Sequence, residues 1–148
     1  MIKQFFLPGA PPTTTDQEKR IGVSKKTGKP YVYADDNLRR AKAYFFDSIS
    51  PHRPDRPLEG GVQLLVKWLF PIPEGSGHHN GEYKLTKPDT DNLQKTLKDV
   101  MTKLCFWHDD AQVCCEITEK FWADIPGIFI RVEEIPDNDG INSTPQGV

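Results

Sequence analysis

The sequence is poor in cysteine and has no long hydrophobic run, and each shortage narrows what the protein can be. Three cysteines, Cys105, Cys114 and Cys115, occur among 148 residues. They form no CxxC pair, an odd number cannot pair fully within the chain, and the adjacent two are poorly placed to bond each other. A reducing compartment is therefore expected, with the cysteines acting as small buried apolar residues. No uninterrupted apolar stretch reaches the roughly 18 residues a spanning helix needs. Met1 to Leu7 has neither the basic start nor the long apolar segment of a secretory leader, so the expected location is the cytoplasm. GxxxxGK, GxSxG, HExxH and zinc-finger spacings are all missing, as is any internal repeat. No membrane partner and no organic cofactor is expected.

At this length one domain is expected, burying about 70% of its unfolded surface around a single core. The formal net charge of -2 argues at first sight against a polyanionic partner. The average hides an asymmetry: residues 1–60 carry a net +4 and residues 61–148 a net -6. The positive side chains concentrate in Lys19, Arg20, Lys25, Lys26 and Lys29, then Arg39, Arg40 and Lys42. Residues 135–148 hold too little apolar content to pack and read as a disordered acidic tail, leaving 1–134 as the domain. A basic segment is also what a solvated surface looks like, so the charge permits a nucleic-acid partner without requiring one.

Ile2 to Leu7 reads as a short strand stopped by the proline-rich segment from Pro8 to Pro12. Gly22–Ser24 and Tyr31–Tyr33 flank Lys26-Thr27-Gly28-Lys29, a hairpin whose tip carries much of the basic charge. Asp35 or Asp36 can cap a helix to about Ser48, with Leu38, Ala41, Tyr44 and Phe45 at helical spacing. Val62 to Phe70 is nearly all apolar, the pattern of a central strand covered on both faces. A second helix, Asp91 to Leu104, places Leu93, Leu97, Val100, Met101 and Leu104 on one face and Asp91, Lys95, Lys98 and Thr102 on another. Two last strands, Val113–Trp122 and Ile128–Glu133, follow. The order predicts an α+β fold, a mixed sheet packed against two main helices.

The informative segment is Lys87-Pro88-Asp89-Thr90-Asp91-Asn92-Leu93-Gln94-Lys95, with Asp110 nineteen residues after Asp91 in Phe106-Trp107-His108-Asp109-Asp110. Pro88 biases the preceding residue toward extended geometry, in which Asp89 and Asp91 can project to one side. Two such carboxylates repel unless a cation lies between them, and hard oxygen ligands select Mg²⁺ or Mn²⁺. Lys95 lies one helical turn beyond Asp91, within reach of a phosphate. Such a set suits phosphodiester hydrolysis, because the ion activates water and offsets charge building on the phosphate. Plainer readings stand beside this one. Asp91 with Gln94 matches a helix capping box, Asp109-Asp110 a polar turn, and Lys95 a solvated helix position. His78-His79 lacks a partner at ligand spacing, and His108 suits a supporting or merely exposed role. Phe106, Trp107, Phe121 and Trp122 read as core.

Lys87 to Lys95 and Phe106 to Val113, joined by a helix of matching length, resemble the RusA family of Holliday junction resolvases. The pattern is D-x-D-N-L-x-K followed by W-x-D-D-x-x-V. The resemblance is specific over about 87–113 and fades across residues 1–60. It implies a homodimeric α+β nuclease that uses Mg²⁺, or Mn²⁺ in its place, to make paired nicks across a four-way DNA junction. Asp89, Asp91 and Asp110 would then be the metal-binding catalytic carboxylates and Lys95 the catalytic lysine, with Asp109 a companion acid. Where the family often has Pro-Pro-Ser and a following Asn, this chain has Pro11-Pro12-Thr13-Thr14-Thr15 and Asp16. Lys19, Arg20, Lys25, Lys26 and Lys29 of the hairpin, with Lys87, are accordingly the candidates for DNA contact. Action on flaps or other branched DNA, or a non-catalytic DNA-binding role on the same fold, are the alternatives.

Overall fold

Val62 to Pro71 alternates buried and half-buried along its length in a computed structural model that describes residues 1–13, 19–34 and 36–137. Val62, Leu64, Val66, Trp68 and Phe70 point to one side and are almost wholly buried. Gln63, Leu65, Lys67 and Leu69 point to the other and are half-exposed. The strand is thus central, as its apolar run predicts, but covered on one face only: both helices lie on the same side of the sheet. The acidic tail lies outside the described residues from position 138 onward, as do Asp16 and Asp35.

The elements in chain order are β1 (Ile2–Pro8), β2 (Lys19–Val23), β3 (Pro30–Ala34), α1 (Asp36–Ile49), β4 (Val62–Pro71), α2 (Thr90–Lys103), β5 (Val113–Ala123) and β6 (Gly127–Glu134). Two short 3₁₀ turns, Ser50–His52 and Asp110–Gln112, follow α1 and precede β5. The main sheet is mixed, in the order β1-β6-β4-β5; β4 runs parallel to β5 and antiparallel to β6. β5 and β6 are linked by three residues yet do not pair, because β4 lies between them. β4, α2 and β5 form a βαβ unit, and its helix carries the motif residues.

Apolar spacing accounts for the helices. Leu38, Ala41, Phe45 and Ile49 of α1 and Leu93, Leu97, Val100 and Met101 of α2 are buried against the sheet. At the end of α2 the Phe106 N–H donates to Met101 O and the Cys105 N–H to Thr102 O. This closure puts Cys105 at a positive φ of 60°, where glycine is usual. Cys105 and Cys114 are exposed and Cys115 is half-buried. The expected buried cysteines are therefore not observed: one closes a helix and two lie on β5, an edge strand of the main sheet among the described residues. Among the described residues no helix is long and apolar enough to cross a membrane.

β2 and β3 form a separate two-stranded sheet. Gly28, at φ 68°, donates its N–H to Ser24 O at 2.8 Å and so turns the chain at the hairpin tip. Lys25, Lys26 and Lys29 are exposed there.

Candidate active site

The backbone from Gly81 to Lys84 runs along the outer edge of β5. Gly81 N–H donates to Trp122 O, Trp122 N–H to Glu82 O, and Lys84 N–H to Lys120 O. This edge pairing delivers the segment 85–89 to the start of α2. Asp89 is the N-cap residue, extended at φ -75° and ψ 145°, without a side-chain capping bond. Asp91 is already inside the helix. Asp89 and Asp91 are consequently not neighbours on one extended stretch: one precedes the helix and the other belongs to its first turn. Nor do Asp91 and Gln94 form a capping box, for Gln94 turns inward and is 2% exposed.

A capping box does occur, at the turn before β5. Asp109 Oδ1 accepts from Ala111 N–H at 3.0 Å, and Gln112 Oε1 accepts from Asp109 N–H at 3.0 Å and from His108 N–H at 2.7 Å. Asp109 therefore has a structural task, leaving Asp110 to face outward. His108 is exposed and its Nε2 lies 2.8 Å from Glu59 Oε1.

A cleft of about 230 Å³ runs along the flank of α2, lined by Asp91, Gln94, Lys95, Lys98, Asp99, Asp110 and Glu116. It brings together three of the four residues expected to carry the chemistry: Asp91, Lys95 and Asp110. Glu116 of β5 holds the middle. Its Oε1 accepts from Gln94 Nε2 at 3.3 Å and its Oε2 from Lys98 Nζ at 2.8 Å. Asp110 has Lys98 and Asp99 as charged neighbours. Its hydrogen bond with Asp109, then burial and the nearby negative charge, hold its carboxyl above the usual range despite the opposing pull of Lys98. Asp109 is shifted the other way, chiefly by the Ala111 N–H and then by Asp110. Asp99 and Glu116 were not singled out from the sequence, and Lys98 was placed only on the polar face of the helix, without a role in the site. Lys98 stands on the polar face of α2 three residues after Lys95. Glu116 shares the helix-facing side of β5 with Thr118 and Lys120, a register visible only once the strand is placed.

Asp89 does not line this cleft. Its Oδ2 accepts from Lys87 Nζ at 2.8 Å, which holds the lysine's pKa above its ordinary value. Lys87 itself is exposed. Behind that pair lie two further ammonium groups. Lys84 Nζ donates to Thr86 O, Thr86 Oγ1 and Lys87 O, and lies 4.7 Å from the centre of the Trp122 ring. Lys120 Nζ donates to Thr86 O at 2.7 Å and Pro88 O at 2.8 Å. Burial lowers the pKa of both, opposed at Lys120 by the charge of Asp89.

Among the described residues no three His, Cys, Asp or Glu side chains converge as a ready-made metal cage. The donor chemistry of the cleft nevertheless fits a hard divalent ion. Its acids are all carboxylates, and ions of the Mg²⁺ class complete their shell with water and substrate phosphate oxygens. His78 is engaged elsewhere, stacked on Trp122 and bonded to Glu82. Phe106, Trp107 and Trp122 are core residues, whereas Phe121 is half-buried and stacks on the exposed Tyr83. The side chains of Lys19 and Arg20 lie outside what is described.

A small α+β domain with a βαβ unit, a carboxylate-and-lysine cleft and a basic hairpin defines a class of protein suited to acting on phosphodiesters. The chain belongs to the RusA endodeoxyribonuclease family, whose match covers residues 8–133, and it is a nuclease. It is 32% identical to the crossover junction endodeoxyribonuclease rusA of Lactococcus phage r1t over 123 residues, 82% of this chain and 90% of the phage protein. It is 27% identical to the uncharacterized protein YqaN of Bacillus subtilis strain 168 over 121 residues, 76% of this chain and 84% of that protein.

Proposed function

We propose that the protein resolves four-way DNA junctions by paired symmetric nicks, using Mg²⁺ or, in its place, Mn²⁺. The observation that carries this reading is the shared cleft of Asp91, Lys95 and Asp110 in a chain of the RusA family. Asp91 and Asp110, with Asp89 at the helix N-cap, are the residues that would hold the ion together with phosphate oxygens. The ion, when bound, activates water and offsets charge on the phosphate. Lys95, which lines the same cleft, would offer its ammonium to the scissile phosphate and stabilise the charge that develops there. Lys98, paired to Glu116, keeps the cleft from accumulating uncompensated negative charge. The exposed Lys25, Lys26 and Lys29 meet the backbone of a DNA arm.

Paired cuts need two sites related by a two-fold axis, hence a homodimer. The open face of the sheet supports one. Phe6 and Ile117 are 39% and 40% exposed there, beside Leu65 and Phe129, with Lys67 and Glu119 as cross-strand partners on the same face. Light scattering that gave 16.8 kDa, the mass of one chain, would count against paired cutting.

The direct test is cleavage of a synthetic four-way junction with Mg²⁺ and with chelator, for the wild type and Asp91→Asn. Cutting is expected only with metal, and the variant is expected to lose at least about 100-fold in rate. Junction binding should be kept or tightened, because a negative charge near phosphate is removed. Complexes without nicks in the wild type would favour a purely binding role, and faster cutting of flaps would move the substrate to other branched DNA.

A further inference from the structure

We infer that Lys120 is a positioning residue, which with Lys84 holds the segment Thr86–Pro88 so that Asp89 is presented to the metal. The inference rests on the reading of Asp89 as a metal carboxylate. Three consecutive carbonyls, of Thr86, Lys87 and Pro88, turn inward just before α2. Every one is taken by an ammonium: Thr86 O by both lysines, Lys87 O by Lys84 and Pro88 O by Lys120.

The two lysines come from places that fix them. Lys84 sits on the edge pairing with β5 and is 8% exposed, its ammonium over the rings of Phe70 and Trp122. Lys120 projects from β5 itself, opposite Trp68 in the register with β4. A loop fastened to the sheet at three successive carbonyls has little freedom to shift, and its next residue is Asp89. Holding two like charges side by side, one buried and one half-buried, is costly, so a purely structural loop would do as well with neutral donors. The Lys120 cation also acts electrostatically on the Asp89 carboxylate. Neither lysine lines the cleft of Asp91 and Asp110. Their effect on the reaction therefore runs through Asp89.

The test compares Lys120→Met, Lys120→Arg and Asp89→Asn with the wild type. Mn²⁺ is titrated into ¹⁵N-labelled protein without DNA, and paramagnetic broadening of the amides from Asp89 to Asn92 is followed. Cleavage rate against metal concentration, metal-free junction binding and far-UV circular dichroism are measured alongside. Lys120→Met should need about 10-fold more Mn²⁺ for equal broadening. Its kcat should fall and be partly recovered at high metal, while metal-free junction affinity stays within about 2-fold of wild type. Lys120→Arg should restore most of the loss. If Asp89→Asn weakens broadening and Lys120→Met does not, the positioning inference is overturned and the reading of Asp89 survives. Unchanged broadening in Asp89→Asn would overturn both. Loss of metal-free junction binding with normal broadening would make Lys120 a phosphate contact and overturn the inference. Should Lys120→Met fail to fold, Lys120→Gln, which keeps a donor but removes the charge, is read by the same criteria.

Discussion

Trp68 and Gln94 are joined inside the protein by a 3.0 Å hydrogen bond from the indole Nε1 to the amide Oε1. Both side chains are at most 2% exposed. The bond ties α2 to the central strand at the level of the cleft. The other end of the same amide donates to Glu116, so a single glutamine fixes the roll of the helix and orients a cleft carboxylate.

Gln94→Leu should therefore destabilise the fold and disturb the cleft together. The Trp68 N–H would keep only Thr118 Oγ1, at 3.1 Å, and Glu116 would lose a donor. A loss of about 1 to 3 kcal/mol is expected for breaking a buried polar network on one side. Urea unfolding monitored by tryptophan fluorescence measures it. A stability equal to wild type would show that the network contributes no net fixation.

Gly127 makes a second packing prediction. A Cβ at this position would come within 2.1 Å of Phe6 Cζ and 2.7 Å of the Leu7 carbonyl oxygen. The ring can swing away, but the carbonyl belongs to the β1–β6 ladder, where Gly127 pairs with Pro8. Gly127→Ala should cost about 2 kcal/mol by overpacking, read as a lowered urea midpoint. A variant as stable as wild type would mean that the edge strand yields freely.

Much of this arrangement was legible in the sequence because local periodicity dictates it. The apolar stripe of Leu93, Leu97, Val100, Met101 and Leu104 places α2, and Asp91 and Lys95 follow on the opposite flank by helical geometry alone. Position at the mouth of the next strand offers Asp109 or Asp110 as the third acid, but choosing Asp110 needed the family resemblance, since nothing in the intervening residues states that the turn before β5 returns to the helix flank. Gln94 and Glu116 were out of reach for a different reason: their roles depend on which side of β5 faces α2. The one-sided cover of β4 was misread because half-exposed Leu65 and Leu69 look, in sequence, no different from buried ones. The cysteines misled likewise. Helix closure by the Phe106 and Cys105 amides places Cys105 in a left-handed turn, and composition carries no sign of that.

The hairpin prediction concerns DNA. If Lys25, Lys26 and Lys29 each neutralise one phosphate, replacing all three by alanine removes about 2.7 from the slope of log affinity against log salt, at about 0.9 per contact. Metal-free junction binding by gel shift from low to moderate salt would measure it. Cleavage chemistry at saturating junction should change little, because the tip shares no residue with the cleft. An unchanged slope would remove the hairpin from the interface.

The loop beside Trp122 should respond to acid. Glu82 Oε2 accepts from the His79 N–H at 2.9 Å, and both its oxygens lie 3.2 Å from His78 Nδ1. Those bonds, the His79 amide first, hold the Glu82 carboxyl below its ordinary value of 4.5. A carboxylate lowered on folding favours the ordered loop at pH above its unfolded pKa, and that contribution is lost as pH falls through the folded value. Loop order should thus be full near neutrality and decline below about pH 4.5. His78 stacks on Trp122 with ring centres 4.7 Å apart, so tryptophan emission reports the change. In Glu82→Gln the transition should disappear while the rest of the acid unfolding profile stays. An identical acid transition in that variant would assign it to another carboxylate.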